Sequence, residues 1–264
     1  MEEQNSLPEV IVINLKRAVA RRNFMTKQLK SQRVRFSFFE AKDGNIIDDK
    51  WIEENVEYSF RKLYYSGQFP FVNKGALGCA DSHRQVWRLI VEKDPNKVFL
   101  ILEDDCFIPT TAMDVIRAAC GLMIRERYDF VLPFYTLNKA LVLEKNISSI
   151  ICGAYRLYPY PANPLGNATA YQVTATGAAK LLSSQAEHIT RMADAWDFDE
   201  VGVKAGIVYP LVFQTGDFPS TMKYAYGRQD IRRFVYALLV RIPFICSIAR
   251  SKQKSNTDSM ITVI

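Results

Sequence analysis

Two long apolar runs dominate the pattern of hydrophobic and polar positions along the chain. Residues 9–15 read EVIVINL and residues 98–102 read VFLIL, and uninterrupted runs of this kind are typical of strands that are buried on both faces. Shorter runs predict further strands at 34–40, 128–133, 170–174 and 207–212. Pro210 lies within the last run, which indicates that this strand either lies at a sheet edge or ends early.

Segments with helical spacing separate these strands. They predict helices over residues 18–32, 81–93 and 109–124, and a further helix that begins at 176 and runs to 183. In the second helix Asp81 or Ser82 is the expected N-cap, and residues 46–74 are expected to form a loop with short helices. The alternation of strands and helices predicts a single α/β domain, with a mostly parallel, Rossmann-like sheet flanked by helices.

The positive charge of the chain is concentrated near its C-terminus. The formal net charge is +6, whereas residues 222–254 alone contain eight basic residues and one acid. The remainder is therefore close to neutral, which argues against a nucleic-acid partner for the domain. We predict a catalytic domain over 1–221 and a basic, hydrophobic helical tail over 222–264.

The tail is too interrupted to cross a membrane as one helix. Residues 231–249 read IRRFVYALLVRIPFICSIA, in which Arg241 and Pro243 break a span that would need ~20 apolar residues. Two short segments lying on an anionic membrane surface fit this pattern; the alternative is a helix that packs back on the domain. Residues 251–264 are expected to lack regular structure.

Cysteines and the N-terminus indicate the compartment. The five cysteines are scattered without a Cys-x-x-Cys pair, which argues against a disulfide framework and favours a reducing environment. Residues 1–7 lack the basic start and apolar run of a signal peptide. We therefore expect a cytoplasmic protein, peripheral on the inner face of its membrane.

An acidic triplet follows the strongest strand. Glu103, Asp104 and Asp105 come directly after residues 98–102, and ligands of open α/β sheets bind beyond the carboxyl ends of the strands. Glu103 and Asp105 point to the same side of an extended chain, so the two carboxylates could hold Mn²⁺ or Mg²⁺ against a diphosphate. The alternative is a solvated loop in which one Asp caps the next helix.

Other candidates are weaker one by one. Asn14, Leu15, Arg21 and Arg22 follow the first strand and could bind a nucleotide, since arginine suits phosphate; a solvated helix face explains the arginines equally well. His83 could contact phosphate or substrate hydroxyls, or be a packed histidine.

A general base is expected further along. The stretch MADAWDFDE offers Asp194, Asp197, Asp199 and Glu200, and composition does not choose among them. The dinucleotide, P-loop, zincin and nucleophile-elbow motifs are all missing. Their absence argues against dehydrogenases, P-loop kinases, zincins and α/β-hydrolases.

Taken together, the motifs resemble glycosyltransferase family 25, the bacterial lipooligosaccharide galactosyltransferases that are akin to collagen galactosyltransferases. The resemblance covers roughly residues 10–220, in order. It rests on these segments: VIVINLKRAVARR, FFEAKDG, GALGCADSHRQVW, VFLILEDDC, GNATAYQVTATGAAKLL, MAD and YPLVFQ. Met192 and Ala193 depart from the family's Pro-Val before its Asp, and residues 46–74 have no clear match.

The resemblance implies a GT-A-type fold, an inverting mechanism and UDP-galactose as the donor, with a lipooligosaccharide acceptor and a β linkage. It implies metal ligands at Glu103 and Asp105, and catalytic roles for Asp105 and for Asp194 as the base. The residues expected to bind the donor are Asn14, Leu15, Arg21, Arg22, Asp43, Gly44, His83, Asp104 and Gln214. The rivals are a nucleotidyltransferase, a transferase specific for UDP-glucose or a UDP-N-acetylhexosamine, and a sugar-binding protein without turnover.

Overall fold

The computed structural model describes residues 7–69, 71–95, 97–137 and 140–219, with the backbone of 260–263. Its strands are β1 Glu9–Asn14, β2 Phe36–Glu40, β3 Val98–Glu103, β4 Cys106–Phe107, β5 Phe130–Leu132, β6 Leu141–Glu144, β7 Ser149–Cys152, β8 Tyr155–Pro159, β9 Ala170–Thr174, β10 Ala205–Tyr209, β11 Gln214–Thr215 and β12 Met260–Val263. Its helices are α1 Val19–Ser31, α2 Asp49–Asn55, α3 Tyr58–Ser66, α4 Lys74–Val91, α5 Ala112–Glu126 and α6 Ala175–Ser183.

Eight strands form the central sheet in the order β2-β1-β3-β9-β5-β10-β8-β7. Only β8 and β9 run against the direction of the other six, so the sheet is mixed although most strands share one direction. Helices flank it, which confirms the α/β class. Because β1, β2 and β3 are parallel neighbours, their carboxyl ends meet at one edge.

The alternation of side chains in β1 and β3 supplies a core on each face of the sheet. Val10 and Leu100 pack on one side with Met25 of α1. Ile11 and Ile101 pack on the other side with residues of α4 and α6. This arrangement explains the continuous apolar runs of β1 and β3, because a strand that is covered on both faces does not alternate between apolar and polar residues.

A third, smaller apolar cluster lies beside the sheet. It joins α2 and α3 to the start of α4 and to the segment around Ile189, so the region 46–74 contains the short helices that its sequence indicates. Tyr64 of α3 packs against this cluster and also lines the cavity described below.

Helix α4 begins seven residues before the predicted start. Its N-cap is Asn73, whose side chain accepts a hydrogen bond from the Ala76 N–H at 3.0 Å. The prediction that Asp81 or Ser82 caps the helix is wrong, because both are buried in its third turn. His83, which a helix start at residue 81 would place in the first turn, also lies in the third turn.

Gly75 and Gly78 conceal the true start of α4, because glycine has a low intrinsic helix propensity. Their role is close packing: a Cβ on Gly78 would lie 2.5 Å from the Lys42 carbonyl oxygen, and one on Gly44 would lie 2.6 Å from the Gly75 nitrogen. The loop after β2 therefore rests directly on the first turns of α4.

Replacing Gly78 by Ala should consequently destabilise the fold, although alanine is the better helix former. We expect a loss of about 2 kcal/mol, as for overpacked cores, and a fall in melting temperature of about 4–8 °C. Gly153→Ala is the matched control, since its Cβ would meet no atom of the described residues within 4 Å; the left-handed φ of 53° is its source of strain, at about 1 kcal/mol. Equal losses for the two variants would contradict the packing role.

The last predicted strand ends early, as Pro210 indicates. Strand β10 stops at Tyr209 and lies between β5 and β8, away from the sheet edge. The edge strand on this side is β7, which pairs antiparallel with β8, and the sequence offered no prediction for either strand.

Most of the predicted tail, 222–264, lies outside the described residues. Its final strand β12 pairs antiparallel with β6, so the expectation that 251–264 lacks regular structure is wrong at 260–263. Among the helices that the structure describes, none combines the length and apolar content needed to cross a bilayer.

Candidate active site at the carboxyl ends of β1 to β3

A cavity of about 480 Å³ opens where β1, β2 and β3 end. Its wall is built by the segments that follow the three strands, including the loop after β2 that rests on α4, and by the first turns of α4 itself. The residues lining it include Leu15, Arg17, Arg21, Lys42, Asp43, Gly44, Tyr64, Asn73, Cys79, Ser82, Glu103, Asp104 and Asp105. The whole acidic triplet thus faces the cavity, and the alternative of a solvated loop is wrong.

Asp104 is the buried anchor of the triplet. Its carboxylate accepts hydrogen bonds from Asn14 Nδ2 at 2.8 Å and from Arg21 Nη1 at 2.7 Å. Buried charge is tolerated only when it is paired and hydrogen-bonded. Of the two partners here, Asn14 is the last residue of β1 and Arg21 lies in α1. Asn14 and Arg21 therefore fix the triplet in place.

Asp105 is less well compensated. The same Arg21 Nη1 lies 3.1 Å from Asp105 Oδ2, while Oδ1 is buried without a hydrogen-bond partner among the described residues. Burial and the charge of Glu103 raise the pKa of the Asp105 carboxyl to about 6, against the opposing effect of Arg21. This free, anionic oxygen beside the cavity is suited to a cation.

Glu103 contacts two donors on α4 and one donor in the residue just before β9. Its Oε1 lies 3.3 Å from His83 Nε2 and 3.5 Å from Cys79 Sγ, and its Oε2 lies 3.4 Å from Thr169 Oγ1. His83 is fully buried, so it is a packed histidine that contacts Glu103 of the triplet.

A directed chain of hydrogen bonds orients the His83 ring. Trp87 Nε1–H donates to Tyr171 Oη at 3.0 Å, and Tyr171 Oη lies 2.8 Å from His83 Nδ1. Since the indole can only donate, every donor is used when the Tyr171 hydroxyl donates to Nδ1 and Nε2–H faces Glu103.

Asp194 is not among the residues that line the cavity. Its Oδ2 accepts a hydrogen bond from the Asn167 N–H at 3.1 Å. Burial raises the pKa of the Cys79 thiol well above its ordinary value, and the charges of Glu103, Asp194 and Asp105 raise it further. The charge of Asp194 therefore reaches the thiol that contacts Glu103.

The acids near Asp194 are placed differently. Asp197 is ion-paired with Arg191, whereas Asp199 and Glu200 are exposed. Asp194 is exposed as well, and it differs from them in that its charge acts on Cys79.

The nucleotide candidates separate into two groups. Leu15, Asp43 and Gly44 line the cavity, and Arg17 binds Asp43 through Nε at 2.5 Å. Arg17 was not predicted as a cavity residue. Its position two residues after Leu15 is a signal for it in the sequence, but the prediction named the Arg21-Arg22 pair instead.

Arg22 and Gln214 are not among the residues lining the cavity. The Arg22 guanidinium stacks on the Phe38 ring at 3.9 Å from its centroid. Gln214 is exposed on β11, which pairs with β4 directly after the triplet. Their proposed contacts to a nucleotide remain predictions.

Comparison with known proteins agrees with this site. The profile of glycosyltransferase family 25, described as an LPS biosynthesis protein family, matches residues 7–196. The chain belongs to glycosyltransferase family 25. The matched range includes both β1 and the triplet, and it favours a family 25 glycosyltransferase over a nucleotidyltransferase.

Curated relatives of this family 25 chain include galactosyltransferases. It is 32% identical to human procollagen galactosyltransferase 2 over 100 residues, 37% of the chain and 15% of that protein. It is 27% identical to a Drosophila melanogaster glycosyltransferase 25 family member over 189 residues, 68% of the chain and 28% of that protein. The alignments thus span well under a third of these relatives' own lengths.

Proposed function

We propose that this family 25 glycosyltransferase transfers a hexose from a UDP-sugar, with inversion, to a hydroxyl of a glycolipid acceptor. Galactose is the first candidate sugar, because relatives of the chain are named galactosyltransferases. The observation that carries the proposal is Asp105, which lines a cavity of about 480 Å³ at the end of three parallel strands and has a buried oxygen without a hydrogen-bond partner among the described residues.

A divalent Mn²⁺ or Mg²⁺ ion fits the residues present. Asp105 Oδ1 is an uncompensated buried oxygen, and Glu103 is the second carboxylate proposed as a ligand. Such an ion supplies positive charge that stabilises a departing diphosphate. Asp104 is neutralised by Arg21 and contributes by holding the triplet in place.

The donor nucleotide is proposed to lie against the loop after β1 and the Asp-Gly turn. Leu15 supplies an apolar contact and Arg17 a cation near Asp43. Arg21 is engaged with Asp104 and Asp105, so we assign it the task of positioning these carboxylates and balancing their charge.

Asp194 is proposed as the general base. In an inverting transfer the acceptor oxygen attacks the anomeric carbon as the bond to the diphosphate breaks, and the base accepts the hydroxyl proton. Asp194 is exposed yet close enough to raise the pKa of Cys79, and its single Asn167 contact leaves lone pairs available for that proton.

A membrane-embedded acceptor, such as a lipooligosaccharide core, is proposed on the family's LPS description. The basic tail would then hold the enzyme on the anionic cytoplasmic face of the membrane. Truncation after Tyr226 is expected to abolish sedimentation with anionic vesicles while leaving donor hydrolysis intact. Continued sedimentation of the truncated chain would contradict the role of the tail.

The donor is tested with a panel of UDP-galactose, UDP-glucose and both UDP-N-acetylhexosamines. We expect release of UDP that requires Mn²⁺ or Mg²⁺, fastest with UDP-galactose. UTP with a sugar 1-phosphate is the control; release of pyrophosphate from that mixture, without UDP-sugar hydrolysis, would establish nucleotidyl transfer and overturn the proposal.

A further inference from the structure

We propose that Cys79, His83 and Glu103 form a binding site for a zinc-class transition metal ion in the cavity wall. Cys79 Sγ, His83 Nε2 and the Glu103 carboxylate offer three ligand atoms that all lie within 4.8 Å of one another. The assignment rests on this geometry and does not depend on the proposed sugar transfer.

The fold brings the three side chains together without local strain. Cys79 and His83 are four residues apart in α4, so they lie on one face of the helix, one turn apart. Glu103 ends β3, whose other face is covered by the opposite core. The site therefore joins two rigid elements, which is the arrangement that gives metal ligands a fixed geometry.

The distances around Glu103 are long for hydrogen bonds. A histidine N–H to a carboxylate normally spans about 2.7–2.9 Å, whereas His83 Nε2 lies 3.3 Å from Oε1. The Thr169 hydroxyl is equally far, at 3.4 Å from Oε2, where about 2.7–2.8 Å is usual.

These separations match the edges of a zinc tetrahedron. Ordinary Zn–N, Zn–O and Zn–S bond lengths place nitrogen and oxygen ligands about 3.3 Å apart and sulfur and oxygen ligands about 3.5 Å apart. The observed His83–Glu103 and Cys79–Glu103 distances are 3.3 Å and 3.5 Å. Both ligand separations to Glu103 therefore match a tetrahedral site, and Cys79 Sγ and His83 Nε2 lie within 4.8 Å of each other.

Outer contacts hold the ligands in orientation. Tyr171 Oη lies 2.8 Å from His83 Nδ1, and Trp87 in turn donates to Tyr171. Metal-bound histidines commonly have their second nitrogen fixed in this way. Thr169 approaches the Glu103 oxygen that is not directed at His83.

Binding has a defined proton balance. The Cys79 thiol loses its proton to solvent, because the thiolate is the ligand. The His83 proton moves from Nε2 to Nδ1, where Tyr171 Oη accepts its hydrogen bond, and the Tyr171 hydroxyl proton turns away from the ring. One proton is released for each ion bound, and the charges of the thiolate and the carboxylate balance the dication.

The ligand set selects the class of metal. Sulfur and imidazole favour zinc over Mg²⁺, which prefers oxygen ligands alone. Cys79 and Glu103 both line the cavity, so a fourth coordination position would face it. Glu103 is common to this site and to the hard-cation site proposed at Asp105, and the Cys79 and His83 ligands distinguish the two sites.

The test measures metal content and spectrum on the full chain. We expect about one equivalent of zinc after purification without chelator, and, after replacement by Co²⁺, a thiolate-to-cobalt charge-transfer band. Cys79→Ser should abolish the band and lower zinc affinity at least about tenfold, the range for loss of a metal contact. Cys152→Ser is the matched control, a half-buried free cysteine elsewhere, and should retain both.

A second readout uses the unmodified chain. Zinc should protect Cys79 from alkylation, and calorimetry in buffers of different ionisation enthalpy should report one proton released per ion. A chain that binds no zinc or cobalt, or a cobalt band that survives Cys79→Ser, would overturn the site. Donor hydrolysis with Mn²⁺ is assayed separately, so a failure of the proposed transferase activity is distinguishable from a failure of this site.

Discussion

Replacement of Asp105 by Asn is expected to lower the kcat/KM of metal-dependent UDP-sugar turnover by about 10²–10³-fold, because the lost charge is worth several kcal/mol to a departing diphosphate. Asn keeps the shape of the side chain and can still accept a hydrogen bond from Arg21 Nη1. The loss therefore reports the negative charge. Steady-state kinetics at varied Mn²⁺ concentration are the measurement.

The same variant should be more stable than the wild-type chain when metal is removed. The pKa of Asp105 is raised to about 6 from 3.8, so the folded state holds the proton more tightly than the unfolded state. Stability from this group is present at low pH and is lost as pH rises through about 6. At pH 7.5 the ionised carboxylate should cost about 3 kcal/mol at most.

Thermal unfolding in EDTA at pH 7.5 checks this expectation. Asp105→Asn should melt a few degrees above the wild-type chain, and Mn²⁺ should raise the melting temperature of the wild-type chain alone. Asp114→Asn is the control, since Asp114 is exposed on α5 and paired only with Arg117. A melting temperature for Asp105→Asn below that of wild type would contradict the uncompensated charge.

Replacement of Asp194 by Asn is expected to lower kcat for transfer to an acceptor by about 10²–10⁴-fold, the usual contribution of a general base. The KM for the donor should change little, since Asp194 contacts the Asn167 backbone rather than the loop after β1. Initial rates at saturating donor, with the acceptor varied, measure the effect.

Asp199→Asn is the matched control for Asp194, an exposed acid in the same stretch. We expect it to retain wild-type kcat. A full loss in Asp199→Asn with none in Asp194→Asn would move the base to the other end of this stretch.

The strands and the triplet could be predicted from the sequence because their signals are local. A short apolar run rich in β-branched residues favours a buried strand over a helix, and β1 and β3 lie where the pattern indicates. That the acids after β3 reach the cavity follows from the direction of a strand in an open sheet.

The start of α4 could not be predicted, because the reason for its glycines is a contact distant in sequence. Gly78 packs against Lys42, and nothing near Gly78 in the chain reveals that neighbour. The same limit applies to Arg21. Its sequence position suggested phosphate binding, whereas its partners Asp104 and Asp105 lie more than 80 residues away.

The setting of Glu103 was likewise hidden. Strand geometry places Glu103 and Asp105 on one side of the chain, but it does not show that Cys79 and His83 of α4 reach Glu103. The irregular segment with Asp194 is positioned by tertiary contacts such as the hydrogen bond from Asn167, so composition alone could not choose among its four acids.

We propose that the carboxylates closing β3 hold a divalent cation against the diphosphate of a UDP-sugar. A crystal structure of the chain with UDP and Mn²⁺, with anomalous data collected at the manganese edge, tests it directly. We predict a manganese peak, which disappears in data collected below the manganese edge, at Asp105 and Glu103 beside the diphosphate of UDP. UDP bound in the cavity with the manganese peak absent from Asp105 and Glu103 would contradict the account.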